Sequence, residues 1–281
     1  MQQHEHQGMR LLRQLRLQGK GIFSMQDIKE AAHSVDIPPS QLNRLLFNLN
    51  KQGWLVRLKR ELYAGVASLP GTIDAHPFAI ATHLVQPSAI SHWSAMQHHG
   101  LTEQIPHTIT CSTYQKVVTP SMRNNTANDR LKHGWEIQGI RYEYFTVKKQ
   151  HFFGIEKVWI AQDLLIPITD KERTLLDVFI YAKHFGGIGE ALGALENALS
   201  TLDIDKLVKY TIEYDQIATI KRLGWALDYL EVSQQQYQPL LEKITSYYCL
   251  LDSEQPAEGP YNKKWKIRNN LSRMKNDITE K

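Results

Sequence analysis

The sequence predicts an α+β protein in two parts: an N-terminal winged helix-turn-helix domain over residues 1–70 and a larger mixed sheet-and-helix domain over 71–281. Three observations predict it. Within the first 70 residues the apolar spacing runs helix, short strand, helix, turn, helix, hairpin, which is the winged-helix order. Strand-type segments rich in Trp, Tyr, Phe, Val and Ile then occupy 107–160, and beyond residue 170 the apolar period becomes helical. Charge divides along the same lines. Residues 1–70 hold 10 Lys/Arg and 5 Asp/Glu, net +5; residues 71–255 hold 16 and 21, net −5; residues 256–281 hold 7 and 3, net +4. A basic head on an acidic middle suits a head that meets a polyanion.

At 281 residues and 42% apolar, the chain can build a core for one large domain or two ordinary ones. No apolar run reaches the roughly 18–20 residues of a membrane span. The start, MQQHEHQGMR, lacks the apolar stretch of a secretory signal. The two cysteines, Cys111 and Cys249, are far apart and form no CxxC pair. Both features predict a cytoplasmic protein in a reducing compartment.

The elements follow in order. Residues 9–18 form a helix with Leu11, Leu12 and Leu15 inward and Arg10 and Arg13 outward. Ile22-Phe23 is a short extended piece. Ser24 caps a helix from Met25 to about His33, with Asp27 completing a capping box. Pro38-Pro39 start the next helix, where a missing N–H is harmless. Leu42, Leu45, Leu46 and Leu49 share one face; Gln41, Arg44, Asn48 and Lys51 lie on the other. Gly53 ends that helix. Strands Trp54–Leu58 and Leu62–Val66 form a hairpin with Lys59-Arg60-Glu61 at its tip. Residues 67–77, with two prolines and a glycine, read as the boundary between the domains.

The second part opens with helical pieces at Phe78–Val85 and Ser91–His99. Strands are expected at 107–112, 135–138, 140–147 and 156–160, with 120–133 a polar loop. Thr169 is the expected cap of a helix from Asp170 to about His184, and helices follow near 188–199, 203–213, 215–231 and 234–248. Residues 263–268, KKWKIR, alternate strictly. A half-buried strand would turn Trp265 and Ile267 inward and Lys264, Lys266 and Arg268 outward as a second basic strip.

Three chemistries are weighed against plainer roles. His92, His98, His99 and His107, with Cys111 nearby, cluster in sequence. A zinc site needs three or four convergent ligands, and no HExxH or CxxC spacing supplies them. Glu156, Asp163, Asp170 and Glu172 are candidates for a metal-dependent nuclease, but Asp170 and Glu172 also suit the acidic start of a helix. Trp135, Tyr142, Tyr144 and Trp159 have the chemistry to stack on single-stranded bases, but they fall on strand patterns and suit sheet packing. With no P-loop and no nucleophile elbow either, the expectation is a non-enzymatic protein with no metal and no cofactor.

Four blocks resemble the AbiEi antitoxin family: ISHWSAMQHHGLTEQIP at 90–106, the hairpin end LYAGV at 62–66, ITDKERTLLDVFI at 168–180, and the closing Leu251-Asp252 … Gly259 … KKWKIRNN segment. The resemblance spans most of the chain. It implies a type IV toxin–antitoxin system linked to abortive infection and phage defence. The winged helix-turn-helix would repress its own operon by binding promoter inverted repeats. The C-terminal antitoxin domain would counteract a nucleotidyltransferase-like toxin, without the two needing a stable complex. The family has no short motif that transfers neutralising residues to this chain.

On this basis duplex DNA is the expected partner. Gln41, Asn43, Arg44 and Asn48 are the expected base readers, and Arg44, Lys51, Lys59 and Arg60 the expected phosphate contacts. Two other classes remain: a plain regulator with a sensing or dimerising C-terminal domain, and a nuclease with a winged-helix specificity domain.

Overall fold

The computed structural model describes residues 2–66, 69–119, 134–162 and 164–271. Among them it is a mixed α+β structure, with helices and three sheets. The N-terminal elements are α1 (Gln2–Leu17), β1 (Ile22–Ser24), α2 (Met25–Ser34), α3 (Pro39–Lys51), β2 (Leu55–Lys59) and β3 (Leu62–Gly65). α1 begins well before the expected residue 9. The Ser24 hydroxyl accepts from the Asp27 N–H at 3.1 Å, and the Asp27 carboxylate accepts from the Ser24 N–H at 2.8 Å, so the capping box forms.

The leucine stripe of α3 is the centre of the first core. Leu42, Leu45, Leu46 and Leu49 are buried with Leu11, Leu15, Phe23, Ile28 and Leu55. Each such side chain stabilises by roughly 1.5–3 kcal/mol when removed from water. The three strands pair antiparallel in the order β1-β3-β2.

The far side of this small sheet is not solvent. Ile22, Leu58, Leu62 and Ala64 pack in one cluster with Phe78, Ala81 and Leu84 of α4 (Pro77–Leu84) and with Ile90 and Ile166 beyond it. The connecting segment is also tied to elements on either side of it in the chain. Gly71 donates to the Gly53 carbonyl at 2.7 Å, and the Gln138 amide bonds the backbone of Gly71 and Ile73. Gly53 sits at φ 78°, where a Cβ would come within 2.8 Å of the Gly71 nitrogen, so only glycine permits that contact.

The large sheet has the order β6-β7-β5-β4-β9-β8, from β4 (Ala89–Ile90), β5 (Thr108–Thr113), β6 (Gly134–Ile137), β7 (Ile140–Thr146), β8 (Ile155–Ala161) and β9 (Leu164–Thr169). β9 was not among the expected strands, and it carries Pro167, a residue that rarely sits in an interior strand. It is accommodated because β4 meets β9 at Ile168, next to the proline. α5 (His92–His98) joins β5 to α6 (Lys171–Ile180). α6 is followed by α7 (Ile188–Ala198), α8 (Ile204–Tyr214), α9 (Ile217–Tyr229) and α10 (Gln234–Leu241), which surround the second core. The helix expected over 170–184 ends at Ile180 and the one over 234–248 at Leu241. The expected loop at 120–133 lies outside the described residues. No helix among the described residues is long and apolar enough to cross a membrane.

The KKWKIR segment corrects its expectation. Residues 263–266 form a turn, with Lys266 at φ 51°, and β12 is the two residues Ile267–Arg268. β12 lies between β10 (Cys249–Leu250), parallel, and β11 (Tyr261–Asn262), antiparallel. The reason is Trp265. Its indole enters the core against Gly224, and its ring N–H donates to Asp228 at 2.9 Å, which a straight strand would not reach. Trp265 and Ile267 are buried as the alternation predicts.

Candidate nucleic-acid interface

With its leucines turned inward, α3 presents Asn43, Arg44, Phe47 and Lys51 to solvent, with Asn48 and Gln41 half-buried at the margins. The Gln41 Oε1 atom is buried without a hydrogen-bond partner, so this side chain is turned partly inward. Phe47 is the residue that sequence reasoning missed. It is 66% exposed in the middle of the polar face, one turn from Asn43 and Arg44 on one side and from Lys51 on the other. Its signal was present in the sequence as an aromatic residue off the leucine stripe.

The hairpin is welded to α3. Asn50 near the end of the helix accepts from the Arg57 N–H at 3.0 Å, which places the exposed Arg57 beside the α3 C-terminus. The turn is only Arg60-Glu61, and the Glu61 carbonyl accepts from Met25 N–H at the start of α2 at 3.0 Å. Arg60 is exposed as expected and lies 3.6 Å from the Glu61 carboxylate.

Lys59 departs from its expected role. A register shift between Arg57 and Lys59 swings it to the other side of the strand. Its ammonium donates to the Leu84 carbonyl of α4 at 2.8 Å, and burial lowers its pKa. Lys59 therefore joins the two parts of the chain and does not stand at the hairpin tip. Sequence reasoning placed Lys59 at the hairpin tip with Arg60; of the two basic residues on β2, Arg57 is the exposed one.

The second basic strip is likewise dispersed. Lys264 is held by the Asp228 carboxylate at 2.8 Å and by the Tyr237 hydroxyl at 3.0 Å. Lys266 lies over the Tyr248 ring, and Arg268 lies over the Tyr261 ring while donating to the Gly259 carbonyl.

Among the described residues, the candidates for the alternative chemistries are held in other contacts. His92 is fully buried and stacked on Phe145, its Nδ1 2.6 Å from the Ser91 hydroxyl. Burial, with Arg173 and His184 nearby, pushes its pKa down to about 3 and keeps it neutral. His99 bonds the Thr169 carbonyl at 2.7 Å, and Cys111 is enclosed in the sheet core. Among the described residues no group of three His, Cys, Asp or Glu could hold a metal ion. Asp170 and Glu172 do converge, but on Lys206, at 3.1 and 2.9 Å, and Glu156 is not with them; Asp163 lies outside the described residues. Asp170, not Thr169, caps α6, accepting from the Arg173 N–H at 2.8 Å. Trp135 and Tyr142 are buried and Tyr144 bonds the Ala81 carbonyl; Trp159 is 63% exposed on the edge strand β8.

The ITDKERTLLDVFI block is a structural joint. Arg173, buried, donates to Asp177 at 2.9 Å and to the carbonyls of His151 and Phe153 at 2.7 and 3.0 Å. It fastens the segment before β8 to α6. Leu175, Leu176, Val178 and Phe179 fill the second core.

No family model matches the chain, and no curated protein matches it. The crystal structure of the RV2827C protein from Mycobacterium tuberculosis is similar, with a TM-score of 0.65 over 93% of this chain and 90% of that one, at 13% identity. That similarity is one of fold across nearly the whole length of both chains.

Proposed function

We propose that the N-terminal unit is a winged helix-turn-helix that binds duplex DNA, and that the protein is the antitoxin of a type IV toxin–antitoxin system. In this proposal it represses its own operon through promoter inverted repeats and counteracts a nucleotidyltransferase-like toxin in the cytoplasm. The observation that carries the DNA-binding part is the α3 face. Asn43, Arg44, Phe47 and Lys51 stand exposed together, with Arg57 beside them, on a helix whose opposite face is fully engaged in the core. Amide, guanidinium, apolar and ammonium groups in one helix-wide patch are what base edges and phosphates in a major groove require. The antitoxin part is supported by the four sequence blocks that resemble the AbiEi family, and it stands or falls separately.

Binding would be stoichiometric, with phosphate contacts from Arg44, Lys51, Arg57 and Arg60 supplying most of the affinity. The test uses the full chain with Arg44→Ala and Lys51→Ala together. A promoter reporter from its own upstream region is scored in cells that also express the neighbouring gene product. Lost repression with retained rescue of growth supports both roles and separates them. Retained repression refutes α3 as the DNA-binding helix. Failure of the unaltered protein to rescue growth refutes the antitoxin role.

A further inference from the structure

One edge of the large sheet is bare. β8 is its terminal strand, and among the described residues β9 is its one strand neighbour. The pairing with β9 fixes which backbone groups face outward. Lys157 stands opposite Pro167, which has no N–H, so the hydrogen bonds to β9 come from Glu156 and Val158 on either side. The N–H and C=O groups of Ile155, Lys157 and Trp159 therefore point away from the sheet. Among the described residues no hydrogen bond takes them up.

Side chains follow the same alternation. Val158 and Ile160 turn to the packed face, against the cluster that holds α4. Lys157 and Trp159 turn to the other face and are exposed. Trp159 stands opposite Leu165, itself 39% open, so an apolar ledge borders the free edge. On the packed face a cavity of about 400 Å³ is lined by Ile160 together with His76, Phe78 and His98.

We propose that β8 pairs antiparallel with β8 of a second copy of this chain, across a twofold axis at Val158. The two six-stranded sheets then join edge to edge. Three features select this occupant and this register. Val158 is the midpoint of the strand, so an axis there pairs all seven residues. The outward groups of Lys157 meet those of Trp159 in the second copy, twice by symmetry, and this takes up the free hydrogen bonds. Charge also fits. Each Lys157 ammonium comes beside the other copy's indole, and each Glu156 comes opposite Ile160, whose cavity carries two imidazoles. An axis at Glu156 or at Lys157 would instead set like charges face to face. A lysine on an edge ordinarily guards it against pairing; here it also sets the register. A seven-residue strand is about 23 Å long, so its edge covers less than the roughly 800 Å² per partner of a standard interface. The pair therefore belongs to the weak, concentration-dependent class. It uses no residue of α3 and does not rest on the duplex-DNA reading.

The test is sedimentation velocity of the full chain from low to high micromolar concentration. The unaltered protein should pass from monomer to dimer. Trp159→Lys sets lysines opposite each other at both symmetric positions and should weaken dimerisation by about tenfold or more. Its thermal unfolding should be unchanged, because the side chain is exposed. Cysteine substitution under oxidised glutathione reads the register. Facing Val158 residues form a non-hydrogen-bonded pair with Cα atoms about 4.5 Å apart, which a disulfide spans, so Val158→Cys should give a linked dimer. Glu156→Cys lies opposite Ile160, with its twin about 13 Å away, and should not link. The unaltered chain controls for Cys249. A protein that stays monomeric throughout overturns the proposal. So does dimerisation that Trp159→Lys leaves unchanged, or a Glu156→Cys link that forms as fast as that of Val158→Cys.

Discussion

Phe47→Ala separates a groove-facing role from a packing role, because the two have opposite signatures. Phe47 is 66% exposed, and the core on the other side of α3 is complete without it. Truncation should therefore move stability by no more than about 0.5 kcal/mol, as for an ordinary surface site. DNA affinity is different. A phenylalanine side chain offers roughly 150–250 Å², so the 66% that is open amounts to about 100–165 Å². Complete desolvation at about 25 cal/mol per Å² sets a ceiling near 2.5–4 kcal/mol, and association retains only part of it. The expected loss is about 1–3 kcal/mol, or roughly fivefold to 150-fold in Kd, which is the range for one good base contact. The assay is anisotropy on a duplex from the upstream region at one fixed salt concentration, beside thermal unfolding. Replacing thymines with deoxyuridine one at a time removes each C5-methyl. If Phe47 packs on one of those methyls, that replacement weakens the unaltered protein and leaves the Phe47→Ala protein nearly unaffected. Unchanged DNA affinity would show that α3 does not face the groove, and a large drop in unfolding temperature would show that Phe47 is part of the core.

Four further outcomes are expected. Arg44→Ala should weaken duplex binding by about 1–3 kcal/mol with an unchanged circular dichroism spectrum. Arg57→Ala with Arg60→Ala should flatten the plot of log K against log salt by about 1.8 if both touch phosphate, at about 0.9 each; Lys59→Ala should leave the slope alone and lower stability instead, having lost its bond to the Leu84 carbonyl. Burial opposes ionisation of Asp27, but hydrogen bonds from Lys20 and Ser24 outweigh it and hold the carboxyl at about 2, below its ordinary 3.8. The stabilisation is therefore fully present above pH 3.8 and is lost as pH falls toward 2, so Asp27→Asn should flatten acid unfolding across that interval and lower stability at neutral pH. Gly224→Ala would place a Cβ 2.0 Å from the Trp265 ring, and thermal unfolding should register about 1–3 kcal/mol of destabilisation as the indole is displaced.

Local order was largely legible from sequence. The leucine stripe of α3, the Ser24–Asp27 capping box and the burial of Trp265 and Ile267 all follow from spacing over a few residues, where helical or strand geometry leaves one arrangement. The exposure of Asn43, Arg44, Lys51 and Arg60 follows for the same reason, since their neighbours are committed to the core. A strict alternation misled at KKWKIR. A tight turn placed Lys266 at φ 51°, and Trp265 was drawn toward Asp228, 37 residues away, by a bond that no local pattern encodes.

What only the tertiary structure decided depends on contacts between distant segments. Lys59 and Arg57 are equivalent as sequence; a register shift and a carbonyl 25 residues downstream send one to α4 and leave the other beside α3. Leu250, Tyr261 and Arg268 are scattered over 19 positions, and strand pairing alone places them side by side. The Asp170 and Glu172 carboxylates become a structural joint because Lys206 arrives from α8. Side-chain type and local period are properties of the chain itself. The partner that a charge or ring meets is set by packing at long range, where burial and hydrogen-bond satisfaction select among arrangements that a local window treats as equal.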